Sequence, residues 1–203
     1  MKNLIIIGAS AMGREAFSYA RECGIEVKGF LDSRTGILDR FPGYARILSS
    51  VEAYEPAGDD VFVCAVGAPD VRLGYVAEIE AKGGRFVSLV HPSAFIGANV
   101  KIGSGSIICP HAVITNDVQL GEHVIVNVAS SVSHDCSLGE GTTVSPGVTI
   151  AGRVSLGREV FVGVGAKILP DVRLGDGVFV AAGAVVTRSF EAGRVIGVPA
   201  VLK

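Results

Sequence analysis

From Val90 onward, a medium-sized aliphatic residue recurs at every sixth position for sixteen consecutive cycles. The fifth residue of each hexad is small or β-branched. A period of six matches neither an α-helix, with its 3.6 residues per turn, nor a long flat strand. It does match a coil with three short flat sides of one hexad each. The repeat therefore predicts a parallel β-helix, a solenoid in which the first and fifth positions point inward.

Residues eighteen positions apart lie in successive coils of such a solenoid, stacked at a strand spacing of about 4.8 Å. One internal ladder is then expected to contain Ile96, Ile114, Val132, Ile150, Ile168 and Val186. Glycine occupies the second position of several hexads, and we assign it to the turn, where its conformational freedom is useful. These glycines are Gly97, Gly103, Gly121, Gly139, Gly157, Gly163 and Gly175.

Residues 1–85 do not follow the period of six and alternate instead between apolar strands and helices. The expected strands are 4–7, 27–31, 61–66 and 85–89, and the expected helices are 14–23 and 69–82. Alternation of this kind predicts a small Rossmann-like β-α-β unit. His91-Pro92 marks the junction, so residues 1–89 are interpreted as an α/β domain and residues 90–203 as the β-helix with a C-terminal tail.

A glycine-rich turn from Gly8 to Gly13 joins the first strand to the first helix. Strand, glycine turn and helix N-terminus together form a phosphate-binding arrangement, and ligands of such sheets bind at the carboxyl ends of the strands. That edge is expected to hold Ser10, Ala11, Met12, Asp32 and Gly67. The turn is not G-x-G-x-x-G, so a dinucleotide is not favoured. A tight turn without a ligand, with Asp32 as a turn cap, is the alternative.

The charge distribution excludes some classes of partner. A net charge of −2 argues against a nucleic-acid-binding protein. Residues 151–203 carry seven Lys/Arg and four Asp/Glu, a net of +3 that suits a phosphate-bearing partner or simply a solvated surface. The four cysteines show no CxxC spacing, the N-terminus does not resemble a signal peptide, and no apolar run approaches 18 residues. We therefore expect a cytoplasmic protein without membrane insertion.

His134 is the strongest candidate for a general base, because Asp135 follows it and Gly152 lies one coil further on. A carboxylate beside an imidazole fixes its tautomer and stabilises the imidazolium that forms. Gly152 is expected to leave backbone accessible to a ligand. A surface histidine is the alternative.

The other candidates are weaker. His91 is expected to be structural, and His111 and His123 are expected to point outward into solvent. Cys136 occupies an inward position, so core packing is favoured over a nucleophilic role. No two histidines have metal-ligand spacing, so a metal site is not expected.

The whole chain resembles the sialic acid O-acetyltransferase-like (NeuD/PglD-type) sugar acyltransferases, a hexapeptide-repeat family with a left-handed β-helix. The marks that carry the resemblance cover both domains in order. They are Ile7-Gly8-Ala9-Ser10, Gly29-Phe30-Leu31-Asp32, Ala65-Val66-Gly67 through Arg72, His91-Pro92-Ser93-Ala94, Ser133-His134-Asp135-Cys136 and Gly197-Val198-Pro199-Ala200.

The resemblance implies a homotrimer with active sites between neighbouring β-helices, and His134 as general base with Asp135 raising its basicity. It implies that acetyl-CoA lies along the outside of the coils near Thr143, Gly152, Val164 and Ala182. It implies that the nucleotide of a UDP-sugar contacts Ser10, Ala11, Met12, Asp32, Ser33 and Gly67. Ala11, Met12 and Ser33 depart from the residues common in related chains.

We therefore interpret the chain as an acetyl-CoA-dependent N-acetyltransferase that acts on the amine of a UDP-linked amino-sugar in surface glycan synthesis. Two alternatives remain open at the level of sequence. The same scaffold could O-acetylate a free sugar such as a sialic acid, or it could be a non-catalytic β-helix that binds sugar nucleotides.

Overall fold

The computed structural model describes residues 3–197 and 201–202. The motif residues Val198, Pro199 and Ala200 lie outside the described part of the chain.

The N-terminal part is an α/β unit built on a parallel sheet of β-strands in the order β3-β2-β1-β4-β5. Strands β1 and β4 lie side by side at the centre, where their apolar runs are buried on both faces. The elements are β1 (Asn3–Ile7), α1 (Ala11–Glu22), β2 (Val27–Leu31), β3 (Ile47–Ser49), β4 (Asp60–Cys64), α2 (Pro69–Ala81) and β5 (Arg85–Phe86).

The predicted Rossmann-like alternation is confirmed, with differences at the edges. Strand β3 (Ile47–Ser49) was missed because it is a three-residue edge strand of intermediate burial without a distinctive pattern. Helix α1 begins at Ala11 rather than at residue 14. Gly13, which was assigned to the preceding turn, belongs to the first turn of the helix and packs against the end of β1. A Cβ at Gly13 would lie 1.9 Å from the carbonyl oxygen of Gly8, so the helix can approach the strand this closely only with glycine there.

The remainder of the chain is a left-handed parallel β-helix of two-residue strands. The strands are β6 (Leu89–Val90), β7 (Phe95–Ile96), β8 (Lys101–Ile102), β9 (Ile107–Ile108), β10 (Val113–Ile114), β11 (Gln119–Leu120), β12 (Ile125–Val126), β13 (Ser131–Val132), β14 (Ser137–Leu138), β15 (Thr143–Val144), β16 (Thr149–Ile150), β17 (Ser155–Leu156), β18 (Phe161–Val162), β19 (Lys167–Ile168), β20 (Arg173–Leu174), β21 (Phe179–Val180) and β22 (Val185–Val186). Strand β23 (Arg194–Ile196) continues one side, and β24 (Val201–Leu202) pairs antiparallel to it.

Successive strands fall in turn onto three flat faces of a triangular prism. Face 1 comprises β6, β9, β12, β15, β18, β21, β23 and β24. Face 2 comprises β7, β10, β13, β16, β19 and β22, and face 3 comprises β8, β11, β14, β17 and β20. The first solenoid strand, β6, contains the residue at which the domain boundary was predicted.

The predicted internal ladder is confirmed residue by residue. On face 2, Ile114 is paired with Ile96 and Val132, and the register then continues without a shift through Ile150 and Ile168 to Val186. From Ile108 onward, the first and fifth positions of the hexads are buried in one continuous core. This core of aliphatic side chains is the main stabilisation of the rod.

The role predicted for the second-position glycines was wrong. The left-handed backbone conformation occurs at the fourth position, where residues such as Asn99, Asp135 and Glu159 have positive φ. The second-position glycines are required instead by close approach of the next coil. A Cβ at Gly103 would lie 2.4 Å from the backbone of Gly121, and one at Gly139 would lie 2.5 Å from Gly157.

The α/β unit covers face 1 of the prism. The outward side chains of Ile107 and Ile125 are buried in the same cluster as Leu4 and Phe30 of the sheet. This docking places the segment that follows β4 beside face 1, where Gly67 accepts a hydrogen bond from Thr143 of β15. None of the helices described is long and apolar enough to cross a membrane.

Candidate active site

His134 and Asp135 occupy the turn between β13 and β14, at the corner where face 2 meets face 3. The backbone of Asp135 is left-handed, with φ of 59°, and this conformation turns its carboxylate toward the neighbouring ring. His134 Nδ1 and Asp135 Oδ2 are 2.7 Å apart, and both side chains are about half exposed. A carboxylate partner selects the tautomer with the proton on Nδ1. Nε2 is then a free proton acceptor, since it has no hydrogen-bond partner among the described residues.

Gly152 lies directly beneath the imidazole ring of His134 and is buried from solvent. A Cβ at this position would lie 2.6 Å from His134 Cε1 and 2.7 Å from His134 Nε2. The prediction that Gly152 leaves backbone accessible to a ligand was therefore wrong in this structure, because the ring itself covers that backbone. The glycine creates the space in which the imidazole lies flat against the next coil.

The remaining histidines have other environments. His91 is buried, and its ring nitrogens lie 2.8 Å from Ser93 Oγ and 2.9 Å from Glu22 Oε2, which agrees with a structural role. His111 is exposed, as predicted. His123 was predicted to be solvated and is only 1% exposed, because Phe86 of the α/β unit packs edge-on against its ring. Burial, reinforced by the charge of Arg72 and opposed by Glu122, lowers the pKa of His123.

Cys136 is buried in the core, as its inward position predicted. Burial raises the pKa of its thiol, and its Sγ lies 3.1 Å from the carbonyl oxygen of Ala151. A buried thiol of this kind is a poor nucleophile. Within the described ranges, no group of His, Cys, Asp and Glu side chains is arranged to hold a metal ion.

A pocket of about 210 Å³ opens at the carboxyl ends of β1, β2 and β4. It brings together three of the predicted substrate-binding residues, Ser10, Asp32 and Ser33, beside Gly8. Ala11 and Met12 form the first turn of α1, and no side chain within residues 3–197 caps that turn or places an acidic group in it. Its free N–H groups and the helix dipole favour an anion at this edge of the sheet.

Asp32 is the most heavily hydrogen-bonded side chain of this pocket. Its carboxylate accepts from the backbone N–H of Ala9 and of Arg34, and from Nε and Nη2 of the Arg34 side chain, at 2.9 to 3.0 Å. Burial alone would raise the pKa of Asp32, but these hydrogen bonds outweigh it and lower the pKa. Asp32 therefore caps the turn that follows β2, which is the alternative raised from the sequence, and it also lines the pocket.

Gly67 and Thr143 meet at the junction of the two parts of the chain. Thr143 was predicted to lie on the outside of the coils, but it is only 2% exposed and donates a 2.8 Å hydrogen bond to the carbonyl oxygen of Gly67. The α/β unit docked on face 1 covers it. The carbonyl group of Gly67 is therefore used in the junction. Gly67 itself does not line the pocket, and its neighbour Val66 does.

Arg72 completes this junction. Its side chain is fully buried, and it donates to the carbonyl oxygens of Val66, Gly67, His123 and Gly141. Burial lowers the pKa of the guanidinium to about 10, so it remains charged at neutral pH. Arg72 was expected only as part of the motif that carries the family resemblance. The available signal for a buried arginine was its position between the apolar residues Val71 and Leu73 of α2. Arginine is rarely fully buried unless it is paired with hydrogen-bond acceptors.

Val164 and Ala182 stand one coil apart at the corner between faces 1 and 2, and both are exposed. They lie on the side of the prism that carries the α/β unit. His134 lies at the corner between faces 2 and 3, which is the corner opposite face 1. The four residues predicted to bind acetyl-CoA are therefore divided among this corner, the buried junction at Thr143 and the opposite corner at Gly152.

Comparisons with known proteins agree with this architecture. Residues 3–79 match the PglD N-terminal domain, and residues 153–188 match the bacterial transferase hexapeptide model. The acetyltransferase domain of PglB from Neisseria gonorrhoeae is 30% identical over the full length of both chains, with a TM-score of 0.91. No curated protein matches the sequence.

Two further solved structures are similar over the full length of this chain. PerB from Caulobacter crescentus, solved with CoA and GDP-perosamine, is 28% identical with a TM-score of 0.91, and 98% of its chain is covered. WeeI from Acinetobacter baumannii AYE is 28% identical with a TM-score of 0.89, and all of its chain is covered. From its fold, its motifs and its full-length similarity to the PglB domain, this chain belongs to the NeuD/PglD-like family of sugar acetyltransferases.

Proposed function

We propose that this protein transfers an acetyl group from acetyl-CoA to the amine of a UDP-linked amino-sugar, for bacterial surface glycan synthesis. The observation that carries the proposal is the exposed His134–Asp135 pair, whose Nε2 is free to accept a proton. A solved structure of the PglB acetyltransferase domain contains acetyl coenzyme A, and PerB was solved with CoA and a nucleotide-linked sugar. The PglB structure supports this donor, and the PerB structure supports a nucleotide-linked sugar as the acceptor.

His134 acts as the general base of the proposed reaction. Its Nε2 accepts a proton from the sugar amine as the nitrogen attacks the acetyl carbonyl carbon, while Asp135 stabilises the imidazolium through Nδ1. Acetyl-CoA supplies the activated thioester. The imidazolium then returns the proton to the departing sulfur, so the products are the acetamido-sugar and CoA thiol. His134 ends in its starting state, and no acyl-enzyme is required.

Acetyl-CoA fits the corner that carries Val164 and Ala182. The two side chains are short, and their backbone N–H groups donate to no carbonyl of the described chain. Two such donors, about 4.8 Å apart along the coil axis, suit the amides of a pantetheine arm. Thr143 and Gly152 are not included in this proposal, because one is buried at the junction and the other lies under His134.

The proposed active site combines two chains of a homotrimer. The nucleotide pocket and the Val164 corner lie on the face 1 side of one chain, whereas His134 lies at the opposite corner of the same prism. A neighbouring β-helix that presents its own His134 to this side would complete the site. This arrangement accounts for a general base that is half exposed and distant from the pocket of its own chain.

The protein has four free cysteines. Free thiols suit a reducing compartment, so we place the proposed reaction in the cytoplasm.

The test is release of CoA thiol from acetyl-CoA, measured with a panel of UDP-linked amino-sugars and with free sialic acid. We expect turnover with a UDP-linked amino-sugar, and a loss of about 10²-fold or more in kcat for His134→Asn. His111→Asn is the matched control, because His111 is also exposed on the coils and lies at a different corner. Turnover with free sialic acid alone would show that the acceptor is a free sugar and not a UDP-linked amino-sugar. Absence of turnover with a folded protein would refute the proposed catalysis.

A further inference from the structure

The pocket at the carboxyl ends of β1 and β2 has a polar side that the proposed function leaves unexplained. Arg34 and Glu52 both line it, together with the apolar or aromatic residues Val51, Val71 and Tyr75. A pocket that combines apolar and aromatic residues with polar groups is suited to a planar nucleobase. The polar groups in such a pocket decide which base is accepted.

Asp32 cannot serve as a free acceptor in this pocket. Each of its carboxylate oxygens already accepts two hydrogen bonds, one from a backbone N–H group and one from the Arg34 guanidinium. In many Rossmann-type sites, an acidic residue at the end of the second strand binds ribose hydroxyls. Here the acidic residue at the end of β2 is Asp32, and it forms an ion pair with Arg34. Asp32 therefore orients the Arg34 side chain and is not available to ribose hydroxyls.

Arg34 is held in one orientation and still has donors to offer. Its Nε and Nη2 are bound to Asp32, and its side chain is 62% exposed. A guanidinium has five N–H groups, so both N–H groups of Nη1 and one of Nη2 remain for a ligand. Because the ion pair fixes the planar group, less side-chain entropy is lost when it binds.

Glu52 supplies an acceptor at the same pocket. Hydrogen bonds from its own backbone N–H and from Ser50 lower the pKa of its carboxyl group, and two of the four acceptor positions of the carboxylate remain for a ligand. An ionised carboxylate only accepts hydrogen bonds, whereas the guanidinium only donates them. Uracil, thymine and guanine each present a carbonyl oxygen beside a ring N–H, which is an acceptor next to a donor. Cytosine and adenine present an amino group beside an unprotonated ring nitrogen, which is the reverse order.

We propose that Arg34 and Glu52 read this edge of the base, so that the pocket selects keto-bases over amino-bases. The proposal rests on the proposed function, because it takes the pocket to be the site of the sugar nucleotide. Arg34 is then a specificity-determining residue, and the ligand is a nucleoside diphosphate whose base is uracil, thymine or guanine.

The experiment is calorimetric titration of the full chain with UDP, dTDP, GDP, CDP and ADP. We expect at least one of the first three to bind roughly tenfold or more tighter than CDP and ADP. Arg34→Met keeps an unbranched side chain and removes the guanidinium donors, and it should reduce this preference to less than about threefold. Arg85→Met is the control, because Arg85 lies at the amino end of β5, at the opposite edge of the sheet.

The outcomes separate the two proposals. Equal binding of all five nucleotides by the wild type would overturn base selection and leave the acetyltransferase proposal standing. An unchanged preference in Arg34→Met would overturn the role of Arg34. If no nucleotide binds and CoA thiol is released only with a free sugar, the UDP-sugar proposal itself fails. Selective binding that is lost in Arg34→Met and kept in Arg85→Met would support the inference.

Discussion

The imidazole of His134 rests against the α-carbon of Gly152, eighteen residues and one coil further along the chain. The ring atoms lie 2.6 to 3.2 Å from the position that a Cβ would occupy at residue 152. The proposed general base is therefore oriented from two directions, by the Asp135 carboxylate at Nδ1 and by the backbone of the next coil beneath the ring.

Gly152→Ala should lower activity with little effect on folding. The three atoms nearest the added methyl group all belong to the ring of His134, which can rotate away, so the cost falls on orientation rather than on packing. A displaced base loses about 10²-fold in rate. We expect kcat in the CoA-release assay to fall roughly tenfold to hundredfold, with a melting temperature near that of the wild type.

Gly58→Ala is the control for this change, because a Cβ at Gly58 meets nothing within 4 Å. Full activity in Gly152→Ala would show that the packing of the ring on Gly152 is not needed.

Asp135→Asn should also reduce kcat, by roughly tenfold to hundredfold, because the amide cannot stabilise the imidazolium as a carboxylate does. Asp117→Asn is the matched control. Asp117 lies one coil earlier at the same corner and has the same left-handed backbone, with φ of 59°. Equal activities of the two variants would argue against a role for Asp135.

Mixed trimers test whether the proposed site is shared between chains. His134→Asn removes the base, and Ser33→Trp fills the nucleotide pocket, so each variant alone should be inactive. In a randomly assembled 1:1 mixture, about one quarter of the interfaces would join an intact pocket to an intact His134 from the neighbouring chain. CoA release at about one quarter of the wild-type rate is expected. A mixture that stays inactive although the two chains co-assemble would place both halves of the site on one chain.

The junction at Arg72 should be worth several kcal/mol of stability. Arg72→Met leaves buried carbonyl groups without donors, and we expect a loss of roughly 3–5 kcal/mol in the free energy of unfolding. Thr143→Val removes a single hydrogen bond to Gly67 and should cost about 1 kcal/mol. Urea unfolding at fixed protein concentration measures both. Arg85→Met, at an exposed position, should be near neutral, and an equally small effect of Arg72→Met would refute the junction's role.

His123 should make the protein less stable in mild acid. Its folded-state pKa is lowered by burial and by Arg72, and raised less by Glu122, whereas the unfolded chain titrates near 6.5. Below pH 6.5 the unfolded state binds more protons, so this contribution is intact above that pH and is lost as the pH falls toward the lowered folded-state pKa. The slope from one group is at most about 1.4 kcal/mol per pH unit.

Melting temperatures of the wild type and His123→Asn between pH 7.5 and 5 measure this effect. Asn also tolerates the left-handed backbone of residue 123, with φ of 56°. The variant should show a weaker dependence on pH, whereas His111→Asn should follow the wild type. Parallel curves for wild type and His123→Asn would contradict the prediction.

Local and periodic features could be read from the sequence with accuracy. The period of six specifies the register of every coil, because each hexad must direct its aliphatic first residue into the prism. The ladder from Ile96 to Val186 and the burial of Cys136 followed from that constraint. The His134–Asp135 pair was also accessible, since adjacent residues in one turn meet without any help from the rest of the fold.

Features that depend on docking between distant segments could not be read in this way. Thr143 and His123 occupy outward-facing positions of the repeat, and they are buried because the α/β unit packs on face 1. The inward positions of a hexad do not indicate which face will be covered. The available signal was the outward position before them, where Ile107 and Ile125 are apolar on face 1. The buried Arg72 likewise depends on backbone carbonyl groups of distant segments, which it meets only in the folded chain. The Asp32–Arg34 pair is local, and only its place at the pocket depends on the fold.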